Sequence, residues 1–360
     1  MKRKTGLLAA IAFAVVPALG AAERPGPVEP PPLAPASAGT SAPAEQPSAR
    51  LPAAAGAAIE AASAPRPSRW RADLDRLDAS LRLRLLAARD PREHWLAAQF
   101  DITDIASRVR NLAAARVAAP DDRLYLASLA FACMQPTRPQ LAECAAVDRL
   151  ADWSVRDGGN GVPAFLLGYR ALERGEADAA VAYVEEAAAA PRFDDYWSRG
   201  PQQWWGYLSE YPLDIDPAAK AKAAETYALE HDLGWAYALH ALCAESKGRT
   251  APMRAACAKL GQAMGERAAT FALRRAGARV AEIDAGDAAA RAAAQALAAG
   301  IVEASAACTL AEPDFDTALE SADARDRERG VRQFEAWVGA QAKAGEIVAC
   351  EQGVAAARRR

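Results

Sequence analysis

The segment YLASLAFACMQPTRPQLAECAAV, residues 125–147, decides how this chain folds. Its first half is apolar and helix-forming as far as Cys133, the Pro136 to Pro139 turn then reverses the chain, and Cys144 lies on the returning helix. A second segment, WAYALHALCAESKGRTAPMRAACAKL, residues 235–260, repeats the plan with Cys243, the Lys247 to Pro252 turn and Cys257. Tyr125 and Leu129 precede Cys133 by the same offsets at which Trp235 and Leu239 precede Cys243, and Val147 and Leu260 stand three residues beyond Cys144 and Cys257. The pattern reads as an internal duplication of a cysteine-bearing helical hairpin.

The geometry of such a hairpin favours a bridge. At about 1.5 Å of rise per residue the two cysteines sit at similar heights above the turn, so antiparallel helices bring them level. Alanine neighbours let the backbones approach to the roughly 4.4–6.8 Å between Cα atoms that a disulfide requires. Each closed loop of this length is worth about 3 kcal/mol if unstrained. The chain has six cysteines, so Cys308 pairs with Cys350 by elimination, one of about fifteen connectivities that an even set of this size allows.

Outward from these hairpins the same vocabulary recurs. Trp70, Leu74, Leu77, Leu81 and Leu85 fall at spacings of three and four behind Ser68, a candidate N-cap, with Arg71, Asp75, Arg82 and Arg89 on the opposite face. Asp90-Pro91, Pro120-Asp121-Asp122, Asp157-Gly158-Gly159, Gly175, Pro191, Asp216-Pro217, Gly265, Gly286, Pro313 and Gly345 cut the rest into helix-length pieces. No run of alternating β-branched residues argues for a strand. The expected fold is all-α: stacked antiparallel helical hairpins, a solenoid over residues 68–360 braced by disulfides. Alanine-rich helices have narrow apolar faces and need neighbours to bury a continuous core.

Between Gly161 and Pro191, Leu167, Gly168, Ala171, Gly175, Ala180, Val184 and Ala187 stand where a tetratricopeptide repeat places its small and apolar contacts. Gly168 and Ala180 suit a close helix crossing and Gly175 the turn between the helices, while Ala164 takes the place of the expected aromatic, with Phe165 one position later. This unit resembles one such repeat, and the cysteine hairpins are similar to the Sel1-like repeats of secreted bacterial proteins, with longer spacing. The resemblance implies a ligand-holding scaffold and is silent on activity.

At the amino terminus, Lys2, Arg3 and Lys4 precede an apolar run from Gly6 to Leu19 and the small residues Ala18, Gly20, Ala21 and Ala22. Residues 1–22 therefore read as a cleaved secretory signal, too short to span a bilayer of roughly 30 Å. With no cysteine at the cleavage site, the expectation is a periplasmic or secreted protein without a lipid anchor and without a further transmembrane segment. Residues 23–67 are Pro-, Ala-, Ser- and Gly-rich with no aromatic and read as a disordered tether. Losing the three signal cations takes the formal net charge from −3 to −6, which argues against nucleic acid as a partner.

Signatures of chemistry are sparse. His94, His231 and His240 belong to no catalytic or metal motif, and no H-E-x-x-H, G-x-S-x-G or Walker A pattern occurs. His240, Cys243 and Cys257 raise a metal site as the rival to a disulfide, without a fourth ligand; no metal or cofactor is expected. Glu245-Ser246 and Glu320-Ser321 resemble the Glu-Ser pair of lytic transglycosylases, which also combine export with a helical solenoid, but the Gly-Leu-Met-Gln element of that family follows neither. The richest local feature is aromatic: Phe193, Tyr196, Trp197, Trp204, Trp205, Tyr207 and Tyr211 place seven of the chain's 24 aromatics within residues 193–211. Such a segment serves either as a binding groove for a peptide or sugar or as a plug that seats a long connection on the helices. Arg358, Arg359 and Arg360 follow an Ala-rich helix whose negative end favours cations. The function expected is a binding scaffold for a protein or peptide in the cell envelope, the alternatives being a cell-wall-active enzyme or a purely structural envelope component.

Overall fold

Helix starts follow capping chemistry. Asp104 accepts hydrogen bonds from the amides of Ala106 and Ser107, Asp122 from Leu124, Asn160 from Val162, Thr250 from Met253, Thr270 from Leu273 and Asp323 from Arg325. Each short polar side chain satisfies a donor that the first turn leaves orphaned, an effect typically worth about 1 kcal/mol.

The computed structural model describes residues 70–100, 104–134, 141–145, 150–228, 234–245, 250–311 and 314–357. The expected signal segment and tether, Ser68, the Pro136–Pro139 turn, Val147, His231, Ser246, Lys247, Pro313 and Arg358 to Arg360 lie outside the described residues. The chain runs through α1 (Arg71–Leu85), α2 (Pro91–Phe100), α3 (Ile105–Ala118), α4 (Arg123–Cys133), α5 (Ala142–Ala145) and α6 (Leu150–Arg156). It continues through α7 (Gly161–Glu173), α8 (Ala177–Ala189), a 3-10 turn (Trp197–Arg199), α9 (Gly200–Leu208), α10 (Pro217–Ala228), α11 (Gly234–Cys243) and α12 (Ala251–Arg267). Last come α13 (Phe271–Ile283), α14 (Ala288–Ala311), α15 (Phe315–Leu319), α16 (Ala324–Ala344) and α17 (Glu346–Ala357). The fold is helical, as expected, with isolated bridges at Asn160–Arg192 and Phe193–Ala268 and no strand among the described residues.

Hairpins pack on hairpins in the middle of the chain. The α7–α8 pair meets the α11–α12 pair, with α7 against α11 and α8 against α12. A β-carbon on Gly168 would stand 3.2 Å from the carbonyl oxygen of Ala180, and Gly175 turns the chain at φ +78°, so both glycines occupy the places their chemistry suits. Another close crossing is between α12 and α13, where a β-carbon on Gly277 would lie 2.6 Å from the backbone nitrogen of Gly265 and 2.8 Å from the carbonyl oxygen of Gly261.

All three cysteine pairs lie at bridging distance, with Cα separations of 5.5 Å for Cys133–Cys144, 5.6 Å for Cys243–Cys257 and 5.3 Å for Cys308–Cys350. Such pairing fits an oxidising, extracellular-type environment. Two of the bridges each close one hairpin, while the third ties α14 to α17.

Packing also runs between elements far apart in sequence. α16 lies against α9 and α10, where Phe334 meets Trp205 edge-on at 5.6 Å and Phe315 at 5.5 Å. Arg327 on α16 donates to Asp216 at 2.9 Å and sits 5.7 Å from the ring centre of Trp70. The carboxy-terminal helices thereby hold the start of α1, whose Leu77, Leu81 and Leu85 are buried as their spacing predicted.

α14 is held by one narrow edge, with Ala294, Ile301 and Cys308 buried at seven-residue intervals. Only 17% of its 18-residue apolar window is buried, and at a mean hydropathy of 1.4 that window is long and apolar enough to cross a membrane by length and composition alone. Alanine content produces this reading, which the sequence expectation of no further such segment did not foresee.

Candidate functional site

Three turns converge beside the aromatic segment. Asn160, the N-cap of α7, donates from Nδ2 to Asp157 Oδ2 at 2.8 Å and to the Asp194 carbonyl at 2.9 Å, while its Oδ1 accepts from the Asp194 amide at 3.0 Å. The Gly161 amide donates to the Arg192 carbonyl at 2.9 Å, the Ala269 amide to the Phe193 carbonyl at 2.8 Å, and the Ile347 amide to the Ala269 carbonyl at 3.3 Å. The starts of α7 and α13 are thus tied to the strand-like run 192–194, and α17 joins them through Ala269.

Asp157 is the centre of this junction, 1% exposed. Its Oδ2 accepts from Tyr196 Oη at 2.5 Å, from Asn160 and from Trp153 Nε1 at 3.0 Å. Its Oδ1 pairs with the guanidinium of Arg192 and stands 3.4 Å from that of Arg123. Burial by itself would raise this carboxyl, but the hydrogen bonds from Tyr196 and Asn160, the charge of Arg192 and the bond from Trp153 together hold it below the ordinary carboxylate range. The same burial and the adjacent carboxylate push the Tyr196 phenol upward. Both oxygens of Asp157 are occupied by donors, the condition of a structural anchor.

The backbone bends to serve that anchor. Tyr196 takes the left-handed conformation at φ 61°, ψ 12°, which an L side chain rarely adopts, and Arg199 covers its ring at 4.8 Å from the centroid. Asp195 is buried next to it and accepts from the Trp197 amide at 3.2 Å. Burial, then the charge of Asp194, pushes the Asp195 carboxyl up to about 7.

The aromatics of this segment occupy separate packings. Phe193 and Tyr196 are buried at the junction just described. Trp204 is fully buried between Phe100, at 6.4 Å, and Tyr227, at 4.7 Å, while Trp205 lies on Phe334. Tyr211 is buried, sharing a 2.8 Å hydrogen bond with Ser80 Oγ, and its carbonyl accepts from Lys220 Nζ at 2.7 Å. Tyr207 stacks on Tyr211 at 5.6 Å and donates to Glu93, itself bound by Arg84 at 2.8 Å. Of the seven, Trp197 and Tyr207 keep part of their surface in solvent. The rings turn inward and seat the long connection on α1, α2, α10 and α16.

The remaining sequence candidates are scattered. His94 bonds Asn111 at 3.1 Å, Glu245 is exposed at the end of α11, and Glu320 is exposed at the end of α15, where Ser321 bonds Asp326 at 3.1 Å. The residue completing a potential metal cluster with Cys243 and Cys257 is Asp284, within 4.8 Å, rather than His240, and the two sulfurs are joined to each other. Sequence reading missed Asp157, Arg192 and Asp195 as partners; the Asn160 cap before α7 was the only local signal of that junction. In comparisons with protein-family models, curated proteins and solved structures, the chain has no match.

Proposed function

We propose that this chain is an exported helical-repeat protein, a TPR-like solenoid entering the periplasm or the medium through a cleaved signal, that holds a protein or peptide partner in the cell envelope. The observation that carries the reading is an apolar surface at one end of the amino-terminal helices. Leu83 and Leu86, at 74% and 82% exposure, Val117 at 74% and Val155 at 83% all protrude into solvent. They share an end: His94 pairs with Asn111 across the antiparallel α2–α3, and Arg156 reaches Asp121 at 2.6 Å. Large apolar side chains exposed at the ends of packed helices are surface that a partner would bury. The paired cysteines support export, and the α7–α8 unit supports the repeat reading.

The test is capture from an envelope extract with the mature chain and with a Leu86→Asp/Val117→Asp variant of equal thermal stability. A partner retained by the first and lost by the second is the expected result. Equal recovery by both would remove the apolar end as the binding surface.

A further inference from the structure

A cavity of about 450 Å³ opens between α13, α14 and α17, far along the chain from the amino-terminal surface and independent of the reading given to it. Its walls are Phe271, Ala304, Ala307, the Cys308–Cys350 pair, Ile347, Val354 and Ala355, and its charged groups are Arg274 and Glu351. The cavity continues a satellite core of Phe271, Ala278, Ile301, Cys308 and Ile347 that stands apart from the main one. It stays unfilled because the helices meet here through alanines while the Cys308–Cys350 bridge fixes their spacing at 5.3 Å between Cα atoms. At about 30 Å³ for each water-sized atom group, the space accommodates a ligand of roughly fifteen heavy atoms, within the range of ordinary small-molecule sites.

The charges select among such ligands. Arg274 is half-buried, its Nε donates to the Ala268 carbonyl at 3.0 Å, and its two terminal nitrogens donate no hydrogen bond to the described residues. Glu351 is exposed, and its charge reaches the Arg274 guanidinium. A fixed, partly desolvated guanidinium at the edge of an apolar space favours an anionic head over a neutral or cationic one, and a carboxylate can take both terminal nitrogens at once. Glu351, on the same lining, acts in the opposite direction, repelling the head group and partly offsetting the guanidinium charge.

We propose that this cavity binds an apolar monocarboxylate, its chain lying along Ala304, Ala307 and Val354 and its carboxylate on Arg274. Decanoate, decanol and decyltrimethylammonium, titrated calorimetrically into the disulfide-intact mature protein, provide the test. Decanoate should bind saturably with Kd below about 1 mM, and the other two at least tenfold more weakly. Arg274→Gln should weaken decanoate at least tenfold, Arg274→Lys, which keeps the charge but loses the two-point contact, should weaken it less, and Glu351→Gln should strengthen it severalfold. Ala307→Trp, which fills the space and leaves both charged residues in the chain, should abolish binding with the thermal transition preserved. Absence of saturable decanoate binding, equal binding of the three probes, or binding indifferent to Ala307→Trp would each overturn the assignment. Should Arg274→Gln fail to fold, the opposed Glu351→Gln and Ala307→Trp arms still decide it.

Discussion

Tyr196 donates its hydroxyl proton to Asp157 at 2.5 Å across 39 residues of sequence, on a backbone held in the left-handed region. The bond makes the connection after α8 part of the core, and its strength sets how firmly three turns are joined.

Asp157→Asn should destabilise the protein by about 3 kcal/mol, because Arg192 keeps only the more distant Asp194, at 3.8 Å, as counter-charge and Tyr196 is left with a weaker acceptor. Tyr196→Phe should cost about 1–2 kcal/mol, and the double variant less than the sum, since both remove one shared bond. Urea unfolding of the four proteins measures this coupling; additive losses would show that the two side chains act separately. The Asp157 carboxyl is held low by its donors, so its contribution is present above the ordinary carboxylate range and is lost as acid titrates the folded state.

Asp195 imposes the opposite dependence. Its carboxyl is raised to about 7 by burial and the neighbouring Asp194 charge, with Glu346 adding to the repulsion, so the folded protein holds a proton that the unfolded chain releases near pH 4. That stability is present at about pH 4 and is lost as pH climbs through about 7. Asp195→Asn keeps the acceptor for Trp197 and should flatten the decline, leaving the variant more stable than the parent at about pH 8 by a few kcal/mol. Thermal melts across this window measure the slope.

The buried bridges should resist reductant in the folded state. Cys133, Cys243 and Cys257 are at most 1% exposed, whereas Cys350 is half-buried, so Cys308–Cys350 should open first under mild thiol treatment. Mass spectrometry after alkylation reads the order. Cys243→Ala/Cys257→Ala should cost about 3 kcal/mol from the loop it releases, and the denatured parent should show no free thiol without reductant.

Gly277→Val should separate α12 from α13. No β-carbon fits 2.6 Å from the Gly265 nitrogen, so the helices must move apart and expose Met264 and Leu260, at an expected cost of about 3 kcal/mol. Gly286→Ala, where nothing lies within 4 Å of the added carbon, is the matched control and should leave the midpoint within about 0.5 kcal/mol.

Much of the fold was legible because helices obey local rules. The Leu77, Leu81 and Leu85 seam faces inward as its period requires, the cysteine hairpins close as their equal heights above a turn imply, and Gly168 and Gly175 stand where a crossing and a turn need them. What stayed hidden is non-local. Nothing near Arg327 announces Asp216 or Trp70, and Asp157 in the sequence is simply an acidic residue before two glycines. The seven clustered aromatics suggested proximity, yet short elements carry them to different neighbours; adjacency in sequence does not fix direction when the backbone reverses at Tyr196.

The hydrogen bonds that tie the starts of α7 and α13 to residues 192–194, with α17 joined through Ala269, stitch together segments far apart in sequence. Amides inside that stitch, such as Gly161 and Ala269, should therefore be among the last to exchange with deuterium.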